Sequence, residues 1–83
     1  MIVAHRDSHG NPWYFRVDAP RDVVARFARK LSKKASRVQT ARNGNERARA
    51  MLAEAVAIAD YQAYNGATVE EWNAATADEK FLL

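Results

Sequence analysis

The 83-residue chain has no cysteine, only three glycines and two prolines, and no apolar run of membrane-spanning length. Each shortage removes a class of protein. Without cysteine there can be no disulfide framework, thiolate zinc site or cysteine nucleophile, so stability has to come from packing or self-association. Gly10, Gly44 and Gly66 stand alone, which leaves no glycine-rich loop to cradle a phosphate. The longest nearly apolar stretch, Ala50 to Ala59, is interrupted by Glu54 and stops at Asp60. That falls well short of the roughly 20 residues a membrane span requires. Neither end carries a secretory or lipidation signal, and a reducing, cytoplasmic setting is the expectation. A chain this short buries only about 60% of the surface its unfolded form exposes. Shallow binding surfaces are therefore favoured over deep substrate pockets.

What is present is 48% hydrophobic and 28% charged, the balance of one small globular domain. Residues 1–17 read as a β-hairpin, because Ile2 to Arg6 and Trp13 to Val17 are rich in β-formers and flank the turn-rich Asp7-Ser8-His9-Gly10-Asn11-Pro12. In the second run Trp13, Phe15 and Val17 share one face, and Tyr14 and Arg16 share the other. A lone hairpin is marginal in water, so it must pack on the helices C-terminal to it.

Residues 20–42 predict a basic helix opened by Pro20. Its Val24, Phe27, Ala28, Leu31, Ala35 and Val38 fall in one stripe at about 100° per residue. Asn43-Gly44 ends it. Residues 45–64 predict an alanine-rich helix capped by Asn45, with Ala48, Leu52, Ala55, Val56, Ala59 and Ala63 as the inner stripe and Met51 and Ile58 on one flank. Beyond Asn65-Gly66, residues 68–83 predict an acidic helical segment. Two capping boxes mark it, Thr68 with Glu71 and Thr76 with Glu79. Trp72, Phe81, Leu82 and Leu83 are expected to fold back onto the core, together with Trp13, Phe15 and Phe27, whereas Tyr14 and Tyr61 point away from the apolar faces and Tyr64 sits at their margin. The expected architecture is a single α+β domain over residues 1–83: a hairpin packed on two long amphipathic helices, plus a short C-terminal helix.

The net charge of +3 hides a segregation. Residues 21–49 carry ten basic side chains against two acidic ones, whereas residues 50–83 carry Lys80 against six acidic ones. On a helical wheel Arg26, Arg29, Lys30, Lys33, Lys34 and Arg37 spread over the side opposite Leu31, with no carboxylate among them at pairing distance. This ridge repels itself. A single-sign face is a candidate footprint for an acidic protein surface or for nucleic-acid phosphate. The plainer alternative is that the acidic C-terminal segment neutralises it within the molecule. A second candidate contact is Tyr14 with Arg16, since exposed tyrosine beside arginine suits both interface anchoring and base stacking.

The run Phe15-Arg16-Val17-Asp18-Ala19-Pro20, followed by two helices, resembles a ribbon-helix-helix repressor over about half of the chain. The resemblance implies a dimeric β-ribbon in the DNA major groove, with Tyr14 and Arg16 at the outward, base-facing positions. Here the second helix starts late, with Asn45 lying 25 residues past Pro20, and a preceding strand would compete for the ribbon's edge.

Catalytic chemistry is thin. His5, Asp7 and His9 alternate and could face one metal ion, but Gly10-Asn11-Pro12 puts His9 in the turn and no fourth ligand is evident. Asp7, Ser8 and His9 are the residue types of a hydrolase triad, yet neighbours on one tight turn cannot form the successive hydrogen bonds that mechanism needs. Glu70-Glu71 and Asp78-Glu79 fall in first helical turns, where capping and the helix dipole account for them. The expectation is a small non-enzymatic intracellular binding protein, without metal or cofactor. It would regulate or inhibit a larger protein machine through its basic helix face, in the manner of compact phage and mobile-element accessory (anti-defence) proteins. A nucleic-acid-binding transcriptional regulator is the alternative, and a homodimer is expected to be compatible with either.

Overall fold

A computed structural model describes residues 1–82 and has the expected α+β architecture. Strands β1 (Ile2–Arg6) and β2 (Pro12–Arg16) form an antiparallel hairpin in which Val3 lies opposite Phe15 and Ala4 opposite Tyr14. The turn is built by Asp7, whose Oδ1 accepts the backbone N–H groups of His9 and Asn11, both at 2.9 Å. Gly10 closes it at φ 85°, a backbone conformation that glycine reaches without a steric cost. Two helices come next, α1 (Arg21–Gln39) and α2 (Gly44–Asn65). The chain then runs through β3 (Gly66–Ala67), α3 (Val69–Ala74), a 3₁₀ turn (Ala77–Glu79) and β4 (Lys80–Phe81). The strand order is β3-β2-β1-β4, with β4 parallel to β1.

The sheet separates two layers. Alternation along β1 and β2 sends Val3, Trp13 and Phe15 towards α1 and α2. There Phe15, Leu31 and Ile58 form one buried cluster, and Val3, Val24, Ala28 and Phe81 another. Tyr14 and Arg16 point to the opposite face. Trp72 of α3 stacks there on Tyr14 at 5.6 Å between ring centroids, and Lys80 lies 4.9 Å over the Trp72 ring.

Helix α1 keeps its predicted phase, with Val24, Ala28, Leu31 and Val38 buried and Phe27 and Ala35 half-buried. It ends at Gln39 rather than near residue 42, because the chain must turn extended at Asn43 (φ −150°, ψ 174°) to cap α2. That cap is Asn43 and not Asn45: the Asn43 side chain accepts the Glu46 N–H at 2.9 Å.

The phase predicted for α2 is inverted. Ala48, Leu52, Ala55, Val56, Ala59 and Ala63 all face outward, with Leu52 66% and Val56 51% exposed. The inner face is Met51, Glu54, Ile58, Tyr61 and Gln62. Tyr61, expected to point away, instead lies edge-on to Phe27 and Phe15, with centroids 4.6 and 6.1 Å away. The physical reason is polar: Glu54 and Gln62 find hydrogen-bond partners only on the hairpin.

The C-terminal segment also departs from a helical reading. Gly66 leaves α2 extended, and a Cβ there would sit 2.6 Å from the Gln62 carbonyl oxygen. Thr68 and Glu71 form the predicted capping box. At the next turn the Glu79 carboxylate accepts the Thr76 N–H at 2.8 Å. Lys80 and Phe81 then add to the sheet, which buries Phe81 as expected; Leu82 is exposed, and Leu83 lies outside the described residues.

Candidate functional site

The helical stripe that buries Leu31 necessarily turns the basic residues of α1 outward. Arg26, Arg29, Lys30, Lys33 and Arg37 are exposed, and Lys34 is half-buried at the rim of the α1–α2 groove. No carboxylate lies within ion-pair distance of any of the six among the described residues. Intramolecular neutralisation by the acidic C-terminal segment is therefore not the arrangement. Glu71 pairs instead with Arg16 of β2, on the far side of the sheet. That guanidinium, and then the Thr68 N–H, hold the Glu71 carboxyl below its ordinary pKa.

The surface beside the ridge is apolar. A groove of about 560 Å³ runs between α1 and α2, lined by Lys34, Arg49, Leu52, Val56, Asp60 and Tyr61 among others. A smaller one of about 290 Å³ sits between Arg26 and Lys30 of α1 and Tyr61 of α2. The ridge thus borders hydrophobic surface at Arg26, Lys30 and Lys34, a geometry in which charge can orient a partner and apolar contact can hold it.

Tyr14 and Arg16 do not form a free patch. Tyr14 is half-buried under Trp72, and the Arg16 guanidinium is engaged by Glu71. The ribbon that the repressor resemblance implies is closed off too, because β2 is hydrogen-bonded to β1 on one edge and to β3 on the other. A second β2 would have to displace one of them.

The alternating His5, Asp7 and His9 are spent separately. Asp7 bonds the turn amides and, through Oδ2, the Trp13 indole at 2.9 Å. Burial pushes its carboxyl up, yet the hydrogen bonds from Trp13, Asn11 and His9 outweigh that and leave the pKa lowered. His5 is buried in the sheet, with an unpartnered Nε2. Burial lowers its pKa against the opposing pull of Glu54 and Asp7. His9 is exposed.

Sequence reasoning missed the polar clamp at the hairpin tip. Glu54, only 3% exposed, accepts both the backbone N–H of Ser8, at 3.1 Å to Oε2, and the Ser8 hydroxyl. Beside it lies a pocket of about 440 Å³ whose lining includes Asp7, His9, Trp13, Met51 and Gln62. A lone carboxylate inside the most apolar stretch of the chain was the available signal. No family model, curated protein or solved structure matches this chain.

Proposed function

We propose that this is a small non-enzymatic binding protein whose α1 ridge docks on an acidic surface of a larger protein machine and regulates or inhibits it. The observation that carries the reading is the unneutralised ridge. Six cations share one helix, and among the described residues none of them is in an ion pair, at a cost in self-repulsion that solubility alone does not require. The smaller groove among Arg26, Lys30, Phe27 and Tyr61 supports a protein rather than a bare polyanion as the target, since protein interfaces combine a desolvated centre with a polar rim. The reading holds for a single chain or for a homodimer. The compact size without catalytic groups is the support for placing it among mobile-element accessory proteins, as an analogy of scale.

The second reading, a nucleic-acid-binding regulator, is favoured by three further exposed cations close after the ridge in the chain, Arg42, Arg47 and Arg49. One experiment separates the two. Lys30→Glu, Lys33→Glu and Arg37→Glu together should leave the circular dichroism spectrum intact and the thermal midpoint no lower, while abolishing capture of a partner that survives nuclease treatment. Loss of the captured material on nuclease treatment selects nucleic acid instead. Duplex DNA binding would then fall with salt by a logarithmic slope of about −0.9 per phosphate neutralised. Capture unchanged by the triple reversal would sink both readings.

A further inference from the structure

The outer face of α2 is a continuous apolar strip, 48-52-55-56-59-63, led by Leu52 and Val56 and containing no charge. The charges that border the strip, Arg49 and Asp60, stand on one flank, and Arg47 is turned further back on the other side of the helix. Arg49 and Asp60 lie three turns apart, about 16 Å along the axis, on the flank nearest α1, where both border the groove that holds Lys34. Neither has an ion-pair partner among the described residues.

We infer that this face is the interface of an antiparallel homodimer, in which α2 of one chain packs along α2 of a second copy about a two-fold axis between Ala55 and Val56. The arrangement is self-complementary in shape and in charge. About that axis Leu52 meets Ala59 of the second copy and Ala48 meets its Ala63, so each larger side chain faces a small one and the helices can approach closely. An antiparallel two-fold keeps like flank beside like flank. Arg49 of each chain therefore comes within about 3 Å, along the axis, of Asp60 of the other, which gives two symmetric ion pairs. A parallel two-fold would instead set the charged flank against Met51 and Gln62 and leave all four charges unpaired. Such rim pairs select the orientation more than they add affinity, and the affinity comes from covering Leu52 and Val56. Because the charged flank is also the α1 side of α2, both α1 helices lie on the same side of the pair.

The absence of cysteine makes a clean test available. Sedimentation equilibrium from micromolar to millimolar protein should show the mass rising from 9.3 kDa towards twice that value. Leu52→Glu, at an exposed position, should keep the monomer's circular dichroism and weaken dimerisation at least about tenfold. Arg49→Asp and Asp60→Arg should each weaken it, and the two together should restore it. Under mild oxidation Ala55→Cys should form a covalent dimer, whereas Ala48→Cys, about 20 Å from its symmetry mate along the axis, should not. A monomer at all concentrations, or a dimer indifferent to Leu52→Glu, overturns the interface. Cross-linking of Ala48→Cys as fast as Ala55→Cys, or a double charge swap that fails to restore association, overturns the antiparallel geometry.

Discussion

Helices α1 and α2 lie side by side and are nearly equal in length, yet they divide inside from outside by opposite means. Helix α1 does it by hydropathy: Val24, Ala28, Leu31 and Val38 go in and the cations go out. Helix α2 is apolar almost all round, so hydropathy leaves its rotation undecided. What fixes it is three polar side chains. Glu54 takes the Ser8 donors, Gln62 donates to the Tyr14 carbonyl at 3.1 Å, and Asn65 donates to the Arg16 carbonyl at 3.2 Å. Glu54 weighs most, since it is buried and a buried carboxylate is costly unless it is paired; Gln62 is half-buried and Asn65 exposed. The partners all sit on the hairpin, so that is where this face of α2 must point, and the aliphatic strip is left outside.

The sharpest way to break this contrast is one leucine from each helix. Leu31→Ala removes a fully buried side chain from the cluster with Phe15 and Ile58 and should cost about 2–5 kcal/mol in urea unfolding. Leu52→Ala, at a position 66% exposed, should stay within about 0.5 kcal/mol when measured on dilute monomer. Equal effects would mean that α2 is rotated as its hydropathy alone predicts.

The same contrast decides what was legible in the sequence. The hairpin, its facing residues and α1 follow from periodicity, because in each one face is clearly apolar and the other clearly polar. The ridge of α1 was legible as its complement. The phase of α2 was not, since a helix with aliphatic residues on every side gives periodicity nothing to separate, and a single internal glutamate reads as a surface residue until its partner is known. The two added strands were hidden for another reason: Gly66–Ala67 and Lys80–Phe81 are two residues each, too short for alternation to register. Tyr14 and Arg16 were placed on the correct face, but the α3 residues that engage them, Trp72 and Glu71, arrive from more than fifty positions away, beyond the reach of local pattern.

If polar pairing sets the rotation of α2, loss of the Glu54 carboxylate should cost nearly as much as loss of a core leucine. Glu54→Ala strands the Ser8 N–H and hydroxyl beside α2, for an expected loss of about 1–3 kcal/mol. Glu54→Gln keeps one acceptor oxygen and should cost less. Retention of full stability by Glu54→Ala, in the same denaturant titration, would show that the clamp does not hold the helix.

A smaller effect comes from His5, which lies in the sheet close enough to feel Glu54. Its folded pKa is lowered, chiefly by burial and against the pull of Glu54 and Asp7. The unfolded chain therefore binds the proton more readily, and stability falls as the pH drops below the unfolded value of about 6.5. The lowered carboxyls of Asp7, Glu71 and Glu79 act in the same direction, but only as pH falls through their own range near 4 and below. Thermal melts between pH 7 and pH 5 thus isolate the histidine. His5→Met should flatten that interval; a slope that survives the substitution assigns it to another group.

The smallest expected effect concerns the polar side of α1, where the comparison turns from stability to purpose. Lys30 has Arg26 four residues before it, Lys33 three after and Lys34 four after, and like charges at these spacings destabilise a helix, though between exposed side chains on a folded protein little of that energy remains. Lys30→Glu converts each repulsion into an attraction without touching a buried atom. It should raise the thermal midpoint slightly at low salt, and the gain should vanish at high salt as the exposed charges are screened. A fall in stability instead would mean that Lys30 already has a stabilising contact within the chain, and the ridge would lose its claim to be an unsatisfied surface. The expected rise would show the opposite, that repulsion along this face is not offset within the chain, which is the condition the proposed docking role requires.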